Sequence, residues 1–277
     1  MKSTLKLGEN KKLIVGELIN SSRKIIRDSI ENRDNSYIRN IAKQQVEAGA
    51  NYLDVNCCEV LKDEMDAMRW LIDTIFEVVD VPLCIDTPNP EVMELGLSLA
   101  RNGKSLVNSL TGEKERYLVM LPLALKYNAA VCALSMDDQG VSDTTHDRLR
   151  VTRKLVNDLT RDGMDLSDIY LDLLVQPVAT KDRNGVEMLE AVRIVKKEFP
   201  DIHVICGLSN ISYGLPNRKI LNRVFMIQAM TMGVSAFILD PLDRVLMGYL
   251  YASQALLGRD EFCKSYLNAH RKGLYGD

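Results

Sequence analysis

Apolar positions along the chain gather into short runs separated by longer, amphipathic stretches. Eight runs are apolar enough to be strands buried on both faces: KLIVGELIN (12–20), NYLDVNC (51–57), PLCIDTP (82–88), SLVNSLT (105–111), AAVCALSMD (129–137), IYLDLLV (169–175), HVICGLSN (203–210) and SAFILDP (235–241). Between them, YIRNIAKQQVEAG, EMDAMRWLIDTIFEVV and GVEMLEAVRIVKKEF show helical spacing with a charged face. Gly49, Gly103 and Gly163 stand where helix C-terminal caps belong, and Pro90 opens the helix after the third run. Strand and helix alternating eight times predict an α/β chain closed as a (β/α)8 TIM barrel. The expected organisation is a single domain over residues 1–277, with the barrel at about 12–256 and a C-terminal helical extension at 257–277. An open doubly wound sheet is the competing architecture. It loses support because no Gly-x-Gly-x-x-Gly follows the first run and no Gly-x-x-x-x-Gly-Lys-Ser/Thr occurs anywhere.

Composition contributes mainly exclusions. At 277 residues, 46% hydrophobic and 26% charged, the chain has ample material for a core. Its 35 basic and 38 acidic side chains leave a net charge of −3, which gives no electrostatic basis for binding nucleic acid or an anionic membrane. Six cysteines, at 57, 58, 84, 132, 206 and 263, are scattered, four of them inside apolar runs. That distribution suits reduced thiols rather than a disulfide framework. The opening MKSTLKLGENKK lacks the apolar core of a signal peptide, and no stretch reaches the roughly 18 uninterrupted apolar residues of a membrane helix. A reducing cytoplasm is the expected location.

In a barrel of this kind, the C-terminal ends of the strands and the loops after them form the active site. Reading round these ends gives Glu17 and Asn20, Asp54 and Asn56, Asp86, Asn108 and Ser109, Asp137, Asp172, Ser209 and Asn210, and Asp240. Carboxylates and amides dominate. Such a set suits a neutral heterocycle with N–H donors and ring-nitrogen acceptors, because a carboxylate accepts two N–H groups while an amide both donates and accepts. It suits phosphate poorly. The plainer explanation is that Asp and Asn close strands as turn formers. Asp86 in LCID and Asp172 in YLD resist that explanation, since an Asp flanked by buried apolar residues needs a partner.

The segments GELIN, LDVN, LCIDTPNP, LVNSLTGE, YLDLLVQP and above all GLSNIS, followed by NR and a further Asn, run in order over nearly the whole chain. Together they resemble the pterin-binding methyltransferases that move a methyl group between tetrahydrofolate and a corrinoid protein. By this resemblance the free-standing methyltetrahydrofolate:corrinoid methyltransferases of anaerobes are close relatives. The folate module of cobalamin-dependent methionine synthase and dihydropteroate synthase are more distant. The resemblance implies that Asp86, Asn108 and Asp172 grip the aminopyrimidinone edge and ring N–H groups of the pterin, and that Asn210 contacts the nitrogen carrying the methyl group. It also places Asn217 and Arg218 near the site, where Arg218 could meet the glutamate tail of folate. Ser209 is a candidate to orient the Asn210 amide, or else makes an ordinary hydroxyl-to-backbone bond. Glu17 and Asn20 complete the expected substrate-binding set.

The implied substrates are tetrahydrofolate and 5-methyltetrahydrofolate. The corrinoid (cobalamin) would be carried by a separate partner protein, no bound metal is expected, and the family habit is a homodimer. Asn210 would be the catalytic residue: a tertiary amine leaves poorly, so departure of the methyl group requires a hydrogen bond that strengthens as electron density builds on nitrogen. The direction of transfer stays open. A dihydropteroate-synthase-like condensing enzyme and a noncatalytic folate-binding protein are the alternatives. Condensation is disfavoured because the seventh strand ends in Asn210 rather than Lys and the eighth reads LDPLDR.

No corrinoid ligand is expected within the chain. The nearest match to Asp-x-His-x-x-Gly, Asp201-Ile202-His203-Val204-Ile205-Cys206, has Cys where Gly belongs, and His203 should lie at the barrel bottom. Neither Cys57-Cys58 nor His203-x-x-Cys206 assembles a zinc ligand set by spacing. The segments SSRKIIRDSIENRDNS (21–36), MDDQGVSD (136–143) and QPVATKDRNG (176–185) are expected as loops framing the mouth.

Overall fold

The computed structural model describes residues 13–60, 63–142 and 144–275. Residues 1–12, including Lys12 of the first expected strand, lie outside them, as do Asp143 of an expected rim loop and the last two residues of the expected extension. Eight parallel strands form a closed barrel: β1 (Leu13–Asn20), β2 (Tyr52–Asn56), β3 (Leu83–Asp86), β4 (Leu106–Thr111), β5 (Ala130–Leu134), β6 (Ile169–Asp172), β7 (His203–Gly207) and β8 (Ala236–Leu239). Each pairs with its neighbours in sequence, and β1 closes on β8 with Leu13 opposite Ala236. Each of the eight expected runs contains one strand of the barrel.

Alternation along the strands sorts side chains between two cores. Outward residues such as Ile14, Leu53, Ile85, Val107 and Leu171 pack under the surrounding helices in the larger core. Inward residues fill the barrel's lower lumen: Leu13, Val15, Tyr52, Cys84, Leu106, Ala130, Cys132, Tyr170, Ile205 and Ala236. Full burial of each aliphatic side chain contributes roughly 1.5–3 kcal/mol. At the bottom, His203 begins β7 and stacks on Tyr170 with ring centroids 4.7 Å apart. Tyr52 Oη donates to the Lys104 carbonyl at 2.6 Å, and Lys104 pairs with Asp168. Among the described residues, these side chains plug the lumen from below.

Capping follows the residues that demand it. Gly49, Gly103 and Gly163 all adopt positive φ, and Pro90 opens helix Pro90–Leu99 behind an Asn89 side-chain cap on Glu91 N–H. One expected loop is instead a helix. Lys24–Glu31, within the segment after β1, is helical because Ile26 and Ile30, four apart, are buried against the barrel while Lys24 pairs with Asp28 on the outer face. Its abundance of charge conceals that apolar spacing. Residues 136–141 form a small antiparallel hairpin, Met136–Asp137 against Gly140–Val141, standing on the rim. Beyond the last barrel helix, Arg244–Leu256, helix Lys264–Arg271 docks through Tyr266 and Tyr275, the latter lying 5.9 Å from the Tyr251 ring. Among the described residues, no helix is long and apolar enough to cross a membrane.

A local irregularity in β1 sets the geometry of the mouth. The register of β1 against β2 shifts between Gly16 and Ile19, and the buried Gln45 side chain bridges the gap by accepting from Leu18 N–H at 3.0 Å. A Cβ on Gly16 would lie 2.4 Å from Gln45 Oε1. Gly16→Ala is therefore expected to lower stability by about 1–3 kcal/mol through overpacking. A urea midpoint equal to that of the wild type would show that Gln45 moves aside freely.

Candidate active site

The inward parity that places Tyr52 and Cys84 in the lower lumen carries Asp54, Asn56, Asp86, Asn108 and Asp172 to the layer above it, with Glu17 beside them on β1. Asn108 Nδ2 donates to Asp54 Oδ1 at 3.3 Å, and Asn56 Nδ2 donates to Asp86 Oδ2 at 3.0 Å. Asn56 Oδ1 in turn accepts from Ser21 Oγ at 2.9 Å. Asp86 and Asn108 are paired across β3 and β4, and the Asn108–Ser109 peptide is cis. Asp172 Oδ1 accepts from Leu174 N–H at 2.7 Å, and its carboxylate also accepts from Gly207 N–H. Leu174 takes a left-handed φ of 60° to point its N–H back.

These carboxylates are costly to ionise. Burial and the neighbouring charge of Asp86 push the Asp54 carboxyl well above its ordinary range, against opposing hydrogen bonds from Cys84 and Asn108. Burial also raises Asp86, while Asn56 and Arg116 pull it down. Two such groups on adjacent strands do not both ionise readily. Burial pushes Asp172 up to about 6, opposed by its two backbone donors and Arg148. Glu17 is raised by burial too, although Ser209 and Arg23 favour its charge. The mouth is thus lined by carboxylate and amide oxygens on neighbouring strands. A flat ligand offering N–H groups suits such a lining.

Asn210 sits just above this layer, on the short 3-10 segment Leu208–Ser212 that follows β7. It is exposed, and its amide folds back over the end of the strand: a Cβ on Gly207 would come within 3.2 Å of Asn210 Nδ2. Gly207 therefore gives the amide room and, through its own N–H, ties the same strand end to Asp172. Ser209 Oγ donates to Glu17 at 3.0 and 3.2 Å rather than to the Asn210 amide. Arg218 clasps the segment from behind, with Nη2 on Ser209 O at 2.6 Å and Nε on Ser212 Oγ at 3.1 Å. Asn217 precedes it at a left-handed φ of 49°. A cavity of about 140 Å³ beside Ser209 is lined by Glu17, Arg218, Lys219, Asn222, Asp240 and Asp243 among others.

Other polar strand ends serve turns. Asn20 Oδ1 accepts from Ser22 N–H at 3.0 Å, Asp137 Oδ1 from Gln139 N–H at 3.0 Å, and Asp240 Oδ1 from Leu242 N–H at 2.9 Å. The structure brings Asp86, Asn108, Asp172, Glu17, Ser209, Asn210 and Arg218 to one mouth and commits Asn20 to the turn after β1. Asp54 and Asn56 join that mouth although they stand outside the expected binding set. Their signal is the parity of YLDVN, in which Tyr52, Asp54 and Asn56 share a face. Gly207 carries no such signal, being one small residue in an apolar run.

A closed (β/α)8 barrel with an acceptor-lined mouth agrees with what the family comparison finds: the chain belongs to the pterin binding enzyme family, whose profile matches residues 16–240. It is 34% identical to methylcorrinoid:tetrahydrofolate methyltransferase of Eubacterium limosum over 266 residues, covering 95% of this chain and 98% of that one. It is 31% identical over 251 residues to methionine synthase of Mycobacterium tuberculosis, an alignment covering 84% of this chain but only 21% of that longer protein. Among solved structures it resembles dihydropteroate synthase of Xanthomonas albilineans with 4-aminobenzoic acid (TM-score 0.67, 16% identity, 92% of this chain and 94% of that one). Dihydropteroate synthase of Yersinia pestis is similar at TM-score 0.66 and 15% identity, covering 90% and 93%. These structural likenesses show the fold.

Proposed function

We propose that the chain is a methyltransferase that binds a reduced folate in the barrel mouth and exchanges a methyl group with the cobalt of a corrinoid carried by another protein. The observation that carries this reading is the acceptor layer of Asp54, Asp86, Asn108 and Asp172 directly beneath the Asn210 amide. The layer takes the donor edge of a pterin; the amide faces the ring nitrogen that bears the methyl. The name of the Eubacterium limosum relative adds the second substrate, a methylcorrinoid.

The chemistry is an in-line displacement. From methyltetrahydrofolate, the cobalt(I) electron pair forms the carbon–cobalt bond while the carbon–nitrogen pair returns to nitrogen, which takes up a proton. The Asn210 N–H donates to that nitrogen most strongly as charge builds there, and a neutral amide leaves no stranded charge in the empty site. In reverse, the free pterin nitrogen attacks methylcobalt and the same amide holds it in line. One site serves both directions, and the relative's name puts the corrinoid on the donor side.

The test is product analysis. Methyltetrahydrofolate with a reduced corrinoid protein should yield tetrahydrofolate, and 4-aminobenzoate with a dihydropterin pyrophosphate should yield no dihydropteroate. The opposite pattern would overturn the assignment. Arg218 gives a further check, because its guanidinium is committed to Ser209 and Ser212. Arg218→Ala is expected to weaken mono- and polyglutamate folates by the same factor, about tenfold, for the loss of charge-assisted hydrogen bonds. A loss confined to polyglutamate forms would put Arg218 on the folate tail instead.

A further inference from the structure

We propose that Arg116 is a positioning residue of the pterin site: it clamps the ends of β3 and β4 so that Asp86 and Asn108 meet the ligand together. The inference rests on the pterin reading above and assigns to it a residue outside the lumen. Arg116 lies in the first turn of helix Lys114–Lys126, behind the strand ends. Its Nε and Nη2 donate to the Ser109 carbonyl at 3.0 and 2.7 Å, Nη1 donates to the Pro88 carbonyl at 3.1 Å, and Nη2 also reaches the Thr87 carbonyl at 3.4 Å. Thr87 follows Asp86 and Ser109 follows Asn108, so one planar fork fixes the backbone directly after both ligand-facing residues. No single-headed cation spans three carbonyls in this way.

The charge has a second effect. Asp86 is faced by Asp54 from β2, by Cys57 and Cys58 beyond it, by Cys84 on its own strand, by Cys132 from β5, and by Arg116. Among these described residues Arg116 is the cation, and its charge favours the Asp86 carboxylate against burial. On its outer side it borders an open rim groove of about 620 Å³, with Pro88, Glu113, Lys114 and Asp138 on the walls. Truncating it opens onto solvent rather than leaving a sealed void in the core.

The experiment compares wild type, Arg116→Met and Arg116→Lys by calorimetric titration with tetrahydrofolate from pH 5 to 8, and by amide hydrogen exchange without ligand. In Arg116→Met, the acidic limb of binding should move up by about one pH unit, since Asp86 loses its nearby opposite charge. Within that limb, affinity should fall about tenfold. Arg116→Lys should return the limb toward its wild-type position, yet bind more weakly at every pH because the fork is gone. Exchange at Thr87, Asn89 and residues 109–112 should quicken in both variants. An Arg116→Met profile superimposed on wild type would overturn the electrostatic role, and unchanged exchange would overturn the clamp. A wild type that binds no tetrahydrofolate would overturn the pterin reading, and the exchange measurement would still decide the clamp.

Discussion

Replacing Asn210 with Ala is expected to lower the methyl-transfer rate by about 100- to 1000-fold while weakening tetrahydrofolate binding by less than about tenfold. The asymmetry follows from where the amide stands. It is exposed above Gly207, and none of the described residues' side chains hydrogen-bonds to it, so the fold loses little when it is removed. In the proposed reading the pterin's donor edge meets a separate layer, Asp54, Asp86, Asn108 and Asp172, which Asn210→Ala leaves intact. On the same proposal, what disappears is the donor to the ring nitrogen at the moment its electron density rises. Single-turnover rates set beside calorimetric affinities measure the two quantities separately. Equal losses in both would reduce Asn210 to a binding residue.

Asp172→Asn should trade stability against affinity. Burial holds the folded carboxyl up at about 6, above its ordinary value of 3.8. Below the lower value both folded and unfolded states are protonated, and the shift has no effect. As pH rises through this window, the unfolded chain releases its proton first. Stability is therefore lost between about pH 4 and 6, by about 3 kcal/mol once the folded group has also ionised. An amide avoids that loss and still accepts from Leu174 N–H, but it turns its NH2 toward the Gly207 donor, which cancels part of the gain. The net expectation at pH 8 is a variant about 1–2 kcal/mol more stable than wild type, with the pH dependence across the window flattened. Its tetrahydrofolate affinity should fall about 10- to 100-fold, because the ligand loses a charged acceptor. Urea midpoints at pH 4 and pH 8, with calorimetry at pH 8, test both halves. A variant less stable at pH 8, or one that binds like wild type, would remove Asp172 from this role.

Both expectations concern groups whose type and place are legible in the amino-acid sequence itself. Eight apolar runs and the helical stretches between them dictate the closed barrel, and the strand ends name Asp86, Asn108, Asp172 and Asn210. Three features are not legible there. Whether a polar strand end faces the lumen or closes a turn depends on register: Asp86 faces the ligand space, while Asn20, likewise at the end of its strand, bonds the next turn. The helix at Lys24–Glu31 hides behind its charges, since an apolar pair four residues apart is a faint signal in an otherwise polar segment. Side-chain direction is out of reach as well. Nothing in GLSN says that the Ser209 hydroxyl crosses to Glu17 on β1, 192 residues away, or that Arg116 reaches back over two strand ends. Such contacts are set by tertiary packing, to which local spacing is blind.

The hydroxyl and the amide that follow β7 have a physical account on the proposed reading. Gly207 clears the space above the lumen, Ser209 and Arg218 fix the turn, and Asn210 is free to donate into the mouth. The most direct test of methyl transfer at that site is the visible spectrum of cob(I)alamin, or of a matched corrinoid protein in the cob(I) state, mixed anaerobically with methyltetrahydrofolate and a catalytic amount of this protein. The expected result is conversion to the methylcob(III) spectrum, reversed by excess tetrahydrofolate. A cob(I) spectrum that persists with the matched corrinoid protein, while the chain still binds tetrahydrofolate, would contradict methyl transfer and leave a folate-binding protein without that activity.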